Sequence, residues 1–339
     1  MARLFTSGAE WGDLLDFNGG VTGSTALSSL IVRSGLYSYF LNDTGANQST
    51  ATYNFPAALD EFYLRFGGYM SLTAAASENT MLRIRNGTTV LGTLRYDATS
   101  ATLKVYSGDS ATLLASATIP FSLDTWGRIE IHWKIADSPN GVFDVLIDGN
   151  SAITFAGDTK PGASTDATNI VFTAIGSLGS FYIDDIALND TTGVADNSWP
   201  GEGKIVLKKS ASDGDTVQWT NSAGNQVDNW DYINNLPPGA TYITDSTPGN
   251  LNLCGLEALD ISDKTPIRAW VEGRGLDTVG PANLQLDLKT LGTLYQSGNI
   301  ALTTNSARIV GPDYKTNPFT GAAWTQAQLD AVQVGPETV

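Results

Sequence analysis

The stretch W-G-R-I-E-I-H-W-K-I, residues Trp126–Ile135, decides the fold of this chain. Apolar side chains alternate with polar ones from Ile129 onward, and this period of two predicts a strand with one buried and one solvent-facing side. A Ser-Pro-Asn-Gly turn follows, in which Asn140 and Gly141 are expected to supply the positive φ angles of a tight hairpin. The alternation then resumes in V-F-D-V-L-I-D-G. The stretch therefore predicts an antiparallel hairpin with Trp133 in the core.

Strand-like segments recur on both sides of this hairpin. They are Phe62–Phe66, Met81–Arg85, Val90–Tyr96, Leu103–Tyr106, Leu113–Ile119 and, after the hairpin, Phe181–Asp190. Short strands at regular spacing are typical of an all-β sandwich. Little helix is expected, and the best candidate is Thr325–Val332 with Thr325 as its N-cap.

The composition sets limits on the class of protein. The chain has 339 residues, a natural length for two domains. Its 35 glycines and its low share of charged residues, 16%, favour strands joined by turns over helices. The net charge of −16 argues against nucleic acid as a partner, since phosphates require a basic face.

Cysteine usage and the first residues narrow the expectations further. Cys254 is the only cysteine, so neither an internal disulfide nor a thiolate metal cage is expected. No apolar segment follows Met1, and no stretch approaches the roughly 18 apolar residues of a membrane span. We therefore expect no signal peptide, no membrane insertion and synthesis in a cytoplasm.

A change of composition divides the chain into two parts. Residues 194–203, V-A-D-N-S-W-P-G-E-G, are polar and rich in turn formers. We interpret them as a linker between a first β-sandwich, residues 1–193, and a second β-rich, sandwich-like domain, residues 204–339. Strand candidates in the second domain include Ile267–Val271 and Leu284–Leu288.

Five short motifs follow one another along the chain. They are Leu4-Phe5 ahead of Gly8 and Glu10, Y-I-D-D-I-A-L-N-D at Tyr182–Asp190, G-E-G-K-I at Gly201–Ile205, D-G-D-T-V-Q-W-T at Asp213–Thr220, and N-P-F-T-G-A-A-W-T at Asn317–Thr325. In this order they resemble the virion structural proteins of tailed bacteriophages. The first domain resembles the concanavalin A-like, laminin-G-like jelly roll, and the second resembles a companion virion domain.

The resemblance implies a non-enzymatic structural component located in the virion, either capsid-decorating or tail-associated. Its implied partners are other virion proteins and further copies of the chain, in a trimer or larger homo-oligomer. A cell-surface glycan is a further expected partner if the jelly roll faces outward. Two other classes stay open, a free carbohydrate-binding lectin-like protein and a degenerate glycoside hydrolase. The lack of a signal peptide disfavours a secreted lectin.

The acidic residues argue against the hydrolase. Two carboxylates must face one cleft to hydrolyse a glycoside. The adjacent pairs in this chain are Asp60-Glu61 and Asp184-Asp185, and adjacent residues of a strand point to opposite faces. His132, the only histidine, alternates with core residues and is expected at the surface, with contact to a ligand as the alternative. We therefore expect no catalytic residues and no enzymatic activity.

A calcium site is a further hypothesis, because laminin-G-like and lectin-like sandwiches often hold one ion. Four oxygen-bearing side chains lie near one strand end, the ligand type that Ca²⁺ prefers: Asp184, Asp185, Asn189 and Asp190. The alternative is that the two adjacent aspartates cap turns or bind neighbouring strands. No other cofactor is expected.

Three tryptophans lie in polar, turn-rich sequence and are candidates for an exposed contact: Trp11, Trp199 and Trp230. An exposed indole ring packs well on the face of a pyranose. It serves equally well as an anchor between subunits, where tryptophan is enriched. Both a glycan contact and a subunit contact therefore stay open for these residues.

Overall fold

The computed structural model describes residues 3–43, 48–72, 78–109, 112–118, 123–175, 179–260, 264–279 and 282–339. The chain forms two compact units, Met1–Val206 and Leu207–Val339, so the predicted linker at 194–203 falls inside the first unit. Nearly all of the regular structure is antiparallel β-sheet, which confirms the predicted all-β class. No helix in these ranges is long and apolar enough to cross a membrane.

The described residues of the first unit form two antiparallel sheets. Its strands are β1 (Arg3–Ser7), β2 (Val21–Thr22), β3 (Ala26–Ser28), β4 (Ser38–Asp43), β5 (Ser49–Leu59), β6 (Glu61–Leu72), β7 (Glu78–Asn86), β8 (Thr89–Asp97), β9 (Thr102–Ser107), β10 (Thr112–Thr118), β11 (Trp126–Lys134), β12 (Gly141–Ile147), β13 (Asn150–Ile153), β14 (Ala156–Gly157), β15 (Ala167–Ile175) and β16 (Gly179–Asp190). Within the described residues, one sheet has nine strands in the order β13-β12-β11-β6-β16-β4-β3, with β1 beside β16 and β14 beside β12. The other has seven, in the order β10-β9-β8-β7-β15-β5-β2.

The inward side chains of the two sheets form one shared core. Phe66 of β6 and Phe172 of β15 pack edge to face with their ring centroids 5.2 Å apart. Trp133 of β11 and its neighbour Ile131 are fully buried. A Cβ on Gly92 of β8 would lie 2.7 Å from the Trp133 ring, so the indole occupies the space that this glycine leaves. The predicted alternation along β11 and the core position of Trp133 are confirmed.

The hairpin of β11 and β12 is present, but its turn differs from the prediction. Neither Asn140 nor Gly141 has a positive φ, and the turn contains a cis peptide bond between Ser138 and Pro139. Gly141 is required for a different reason, since a Cβ there would lie 2.5 Å from the carbonyl oxygen of Gly157. Close approach of β14, and not a left-handed backbone, therefore explains the glycine.

The second unit has shorter sheets and its own core. Its elements are β17 (Ser210–Val217), β18 (Thr220–Asn221), a 3₁₀ helix (Asn229–Tyr232), β19 (Ile243–Thr244), β20 (Asn252–Leu256), β21 (Ala269–Gly275), β22 (Asn283–Thr290), β23 (Thr293–Tyr295), β24 (Ile300–Ala301), β25 (Ala307–Tyr314), α1 (Gln326–Asp330) and β26 (Gln333–Thr338). One sheet has the order β17-β20-β26-β22-β23, with β24 beside β22, while β18 pairs with β19 and β21 with β25. Thr325 caps α1 in a capping box with Gln328, so the predicted helix is confirmed, although it ends at Asp330.

Candidate functional site

Four aromatic side chains lie side by side on the outer face of the nine-stranded sheet. Strands β11, β6, β16 and β4 are neighbours in that order. Their register pairs Trp126 with Tyr69, Tyr69 with Tyr182, and Tyr182 with Phe40. Each of the four alternates with residues of the core, so all four rings project to the outer side. We name these four residues the aromatic row.

The rings of the aromatic row contact one another in a continuous series. Their centroids are 4.9 Å apart for Phe40 and Tyr182, 5.5 Å for Tyr182 and Tyr69, and 5.6 Å for Tyr69 and Trp126. Such pairs contribute about 0.5–1.5 kcal/mol each, so they hold the rings in place. All four residues are half-buried, which leaves part of each ring accessible. Since neighbouring strands lie about 4.8 Å apart, the row extends over roughly 14 Å across the sheet.

Polar side chains border the aromatic row. Ser71, Ser180 and Asn42 occupy the next outward positions on β6, β16 and β4, and their register places them in a second rank. At the β11 end, Asp124 is exposed, and its carboxylate accepts a hydrogen bond from the Tyr69 hydroxyl at 3.5 Å. Neutral donors and acceptors and one carboxylate therefore lie next to the rings.

A segment of the first unit, residues 199–205, crosses the same face beyond the aromatic row, and we name it the strap. Arg65 of β6 donates a hydrogen bond to the carbonyl oxygen of Gly201 at 3.1 Å, and the Gly201 N–H donates to Glu130 of β11 at 2.8 Å. Further along, a backbone N–H of the strap donates to Asp185 of β16 at 2.6 Å. The strap thus bridges three neighbouring strands and buries the side chains of Arg65 and Glu130.

Two guanidinium groups lie between the aromatic row and the strap. Arg128 is paired with Gly67 in the sheet, and a Cβ on Gly67 would lie 2.4 Å from the side chain of Arg33. Glu202 of the strap binds both arginines, at 2.5 Å from Arg128 and 3.1 Å from Arg33. Each arginine has a second carboxylate partner: Glu130, at 3.1 Å from Arg128, and Asp185 for Arg33. Both positive charges are therefore neutralised by carboxylates of the protein.

The two aspartates at the centre of the predicted calcium site bind protein donors instead. One Asp184 oxygen accepts hydrogen bonds from the backbone N–H groups of Arg33 and Ser34, at 2.9 and 3.1 Å. Asp185 accepts from the Ser34 hydroxyl at 2.6 Å and from the strap. Both aspartates thus hold the loop around Ser34 against the sheet, and Asp185 also holds the strap there. This arrangement corresponds to the alternative in which the two aspartates cap turns.

The other two predicted calcium ligands, Asn189 and Asp190, bind different partners from those of the two adjacent aspartates. Asn189 accepts a hydrogen bond from Arg3 at 2.5 Å. It donates one to the carbonyl oxygen of Ser198, the residue before the strap, at 2.7 Å. The Asp190 carboxylate accepts from the backbone N–H and the hydroxyl of Thr192. In the described part of the chain, no group of three acidic, histidine or cysteine side chains is arranged to hold a metal ion. The structure therefore does not assemble the predicted calcium site.

Burial gives two carboxyl groups of the first unit a strongly raised pKa. Burial is the main cause for Glu10, whose pKa rises to about 8 although a hydrogen bond from the Leu36 N–H opposes the shift. The nearby charges of Asp184 and Asp185 add to this rise. The pKa of Asp184 also rises to about 8, through burial first and the charge of Asp185 second. Both groups therefore keep their protons to a higher pH than an ordinary carboxyl group does.

A second cluster lies on the other side of the strap and contains His132. Its imidazole stacks on the Tyr63 ring with centroids 4.2 Å apart and an interplanar angle of 10°. Its Nε2 lies 2.8 Å from one carboxylate oxygen of Glu61, and Lys134 Nζ lies 3.2 Å from the other. Trp199 of the strap packs edge-on against Tyr63 at 5.4 Å. His132 thus faces outward, as the alternation predicted, but it is enclosed by neighbours.

The structure separates the three tryptophans that were predicted as contact residues. Trp199 is half-buried against Tyr63, and Trp11 is half-buried in the first unit. Trp230 is half-buried in the 3₁₀ helix of the second unit, where its backbone N–H donates to Asp213 at 3.4 Å. None of the three belongs to the aromatic row. Their glycan or subunit contacts stay predictions.

Sequence reasoning missed the aromatic row itself. A local signal existed, because Trp126, Tyr69, Tyr182 and Phe40 each occupy an outward position of an alternating strand. The alternation identifies the face of each residue but not the strands that lie beside it. Only the register of the sheet brings the four rings together.

Comparisons with known proteins find similar folds and no sequence family. No family model matches the chain, and no curated protein matches it significantly. Among solved structures, the chain is similar to endo-β-1,4-glucuronan lyase from the fungus Trichoderma reesei, with 13% identity, 53% of this chain and 91% of that chain covered, and a TM-score of 0.42. It is also similar to a carbohydrate esterase from the Shiga toxin-encoding bacteriophage phi24B (17%, 55% and 97%, 0.40) and to the Emp47p carbohydrate recognition domain (11%, 52% and 88%, 0.38). At these identities the likeness concerns the fold alone.

The prediction that the protein is not an enzyme is contradicted by this comparison, since a lyase and an esterase are among the similar structures. That prediction was argued from the lack of paired carboxylates, which is a requirement of glycoside hydrolysis. Elimination and ester cleavage do not depend on such a pair. A β-sandwich without paired carboxylates therefore does not exclude enzymes of those two classes.

Proposed function

We propose that this protein binds carbohydrate through the aromatic row. The single observation that carries the proposal is the alignment of four half-buried rings on four neighbouring strands of one sheet face. A pyranose ring has an apolar face of C–H groups that packs on an aromatic ring, while its hydroxyls bind polar neighbours. The row offers both kinds of group, because Ser71, Ser180 and Asn42 follow it on the same face.

The row is built to bind with little loss of conformational freedom. Tyr182 contacts both Phe40 and Tyr69, and Tyr69 contacts Trp126, so each ring is held by at least one other ring. Side chains already ordered in the free protein do not lose that freedom on binding, which otherwise costs about 0.5–1.5 kcal/mol for each immobilised side chain. A rigid strand scaffold therefore supports a preformed platform.

We expect the double substitution Tyr69→Thr and Tyr182→Thr to weaken oligosaccharide binding at least tenfold. It removes the two central rings but keeps residues that favour strands. A tenfold loss corresponds to about 1.4 kcal/mol, the scale of one lost aromatic contact. Binding is first read on a panel of immobilised oligosaccharides, and the Kd is then measured by calorimetry for the sugars that the wild-type protein retains.

Tyr242→Thr provides the matched control, because Tyr242 is 56% exposed and belongs to the second unit. It should bind like the wild-type protein. Circular dichroism and thermal unfolding establish that the double variant is folded. An unchanged Kd in the folded double variant would overturn the proposal, as would a wild-type protein that binds no oligosaccharide of the panel.

We further propose that the chain is a component of a tailed-bacteriophage particle, capsid-decorating or tail-associated. In this proposal it is made in the host cytoplasm and assembles with other virion proteins as a trimer or larger homo-oligomer. The order of the five sequence motifs supports this role. Many copies of a weak glycan site on one particle would raise the avidity for a cell surface.

Three measurements test the particle role. We expect light scattering to give the purified protein the mass of three or more copies, and antibodies against the chain to label purified particles. Mass spectrometry of the same particles should detect peptides of the chain at many copies for each particle. A monomeric protein that is absent from the particles would contradict the proposal.

A further inference from the structure

We infer that the aromatic row takes an uncharged glycan and discriminates against acidic glycans such as polyuronates. The inference rests on the proposed function and names the class of sugar that the same site would take. Its basis is the charge distribution around the four rings.

The positive charges closest to the row along the sheet face are already neutralised. Arg128 and Arg33, on the rank next to the row, share Glu202 at 2.5 and 3.1 Å. Glu130 and Asp185 provide each of them with a second carboxylate. The guanidinium group of Arg65, buried under the strap, lies near the same three carboxylates, so three carboxylates balance three guanidinium groups. A sugar carboxylate that approached these arginines would have to displace a partner of the protein's own.

The other charges near the row are also unfavourable for an acidic sugar. Asp124 is exposed at the β11 end and contacts the hydroxyl of Tyr69 at 3.5 Å. The whole chain carries a net charge of −16. Electrostatic effects reach about 8–10 Å at ordinary ionic strength, a distance comparable with the length of the row. An acidic glycan therefore meets repulsion at the Asp124 end of the row.

The polar groups that remain suit hydroxyls. Ser71 and Ser180 carry hydroxyl groups that donate and accept, and Asn42 carries an amide that does both. The Asp124 carboxylate accepts hydrogen bonds and so suits a sugar hydroxyl as donor. Neutral hydroxyl groups therefore find partners on both borders of the row, whereas a carboxylate finds no unneutralised cation on the rank between the row and the strap.

The test compares each neutral oligosaccharide that binds with its counterpart oxidised to a carboxylate at C6, which keeps the linkage and the ring. We expect oxidation to weaken binding at least tenfold at about 20 mM salt, and much less at about 500 mM, because salt screens the repulsion. Calorimetry on the full-length protein gives the Kd for each pair.

Asp124→Asn removes one of the repelling charges without changing the shape of the residue, and asparagine tolerates the positive φ of 58° at this position. It should raise the affinity for the oxidised sugar about threefold relative to the affinity for the neutral sugar. Asp137→Asn is the control. That exposed residue lies in the turn that follows β11, at the end of the strand opposite Trp126 and the aromatic row. It should change neither affinity.

The outcomes distinguish this inference from the proposed function. Equal or tighter binding of the oxidised sugar, lost on Tyr69→Thr and Tyr182→Thr, would overturn the neutral-glycan inference and retain the binding site. Binding that is insensitive to the double substitution would overturn the site itself, and with it the inference.

Discussion

The substitution Trp133→Ala is expected to lower the free energy of unfolding of the first unit by about 3–5 kcal/mol, the usual cost of truncating a buried aromatic residue. Trp133 is fully buried, packs edge to face on Phe143 at 4.8 Å, and fills the space over Gly92. The large loss has two parts, the apolar surface that is no longer buried and the cavity that the rigid sheets cannot close. Denaturant unfolding followed by circular dichroism measures it.

Trp126→Ala is the matched control on the same strand. Trp126 lies seven positions earlier on β11 and projects from the opposite, outer face, where it is half-buried. Its truncation should cost clearly less, because solvent fills the space that the ring leaves. Equal destabilisation by the two substitutions would contradict the assignment of the two tryptophans to opposite faces of the sheet.

The substitution Glu10→Gln should stabilise the protein in mildly alkaline solution, by an amount on the order of 3 kcal/mol. Glu10 is 4% exposed, and burial raises the pKa of its carboxyl group from 4.5 to about 8. The folded protein thus binds this proton more tightly than the unfolded chain does. Its contribution to stability is fully present below about pH 4.5 and is lost as the pH rises through about 8. Glutamine keeps the acceptor for the Leu36 N–H and never acquires the charge.

The test is the free energy of unfolding at several pH values between 4 and 9. The difference between Glu10→Gln and wild type should be small near pH 4.5 and largest above pH 8. Some dependence on pH remains in the variant, because burial raises the pKa of Asp184 to about 8 as well. Asp137→Asn, at a side chain that is 77% exposed, should leave the slope unchanged. A Glu10→Gln variant with the same slope as wild type would contradict the prediction.

The strap shows how a correct observation on the sequence led to an incomplete interpretation. Residues 194–203 are polar and turn-rich, as a linker would be, but Gly201 and Glu202 bind Glu130 and Arg128 of the nine-stranded sheet. At Gly201 and Glu202 the polar character reflects charged partners on the face that the strap crosses. Composition alone does not distinguish a solvated linker from a segment that is hydrogen-bonded to a polar sheet face.

The sequence by itself determined the local features of this protein. The period of two along Ile129, Ile131 and Trp133 predicted a strand and its buried face, and Thr325 predicted the start of the only α-helix in the described residues. Such features depend on neighbours within a few positions, since backbone geometry alone alternates side chains along a strand and orphan N–H groups alone favour a cap.

Only the tertiary structure decided what these elements do together. Tyr182 meets Phe40 and Tyr69 through pairings between residues more than a hundred positions apart, and Asp185 binds Arg33 across a similar separation. Strand order and register arise from the packing of a whole core, so no short stretch of sequence contains them. The aromatic row, the neutralised arginines and the strap are properties of that register.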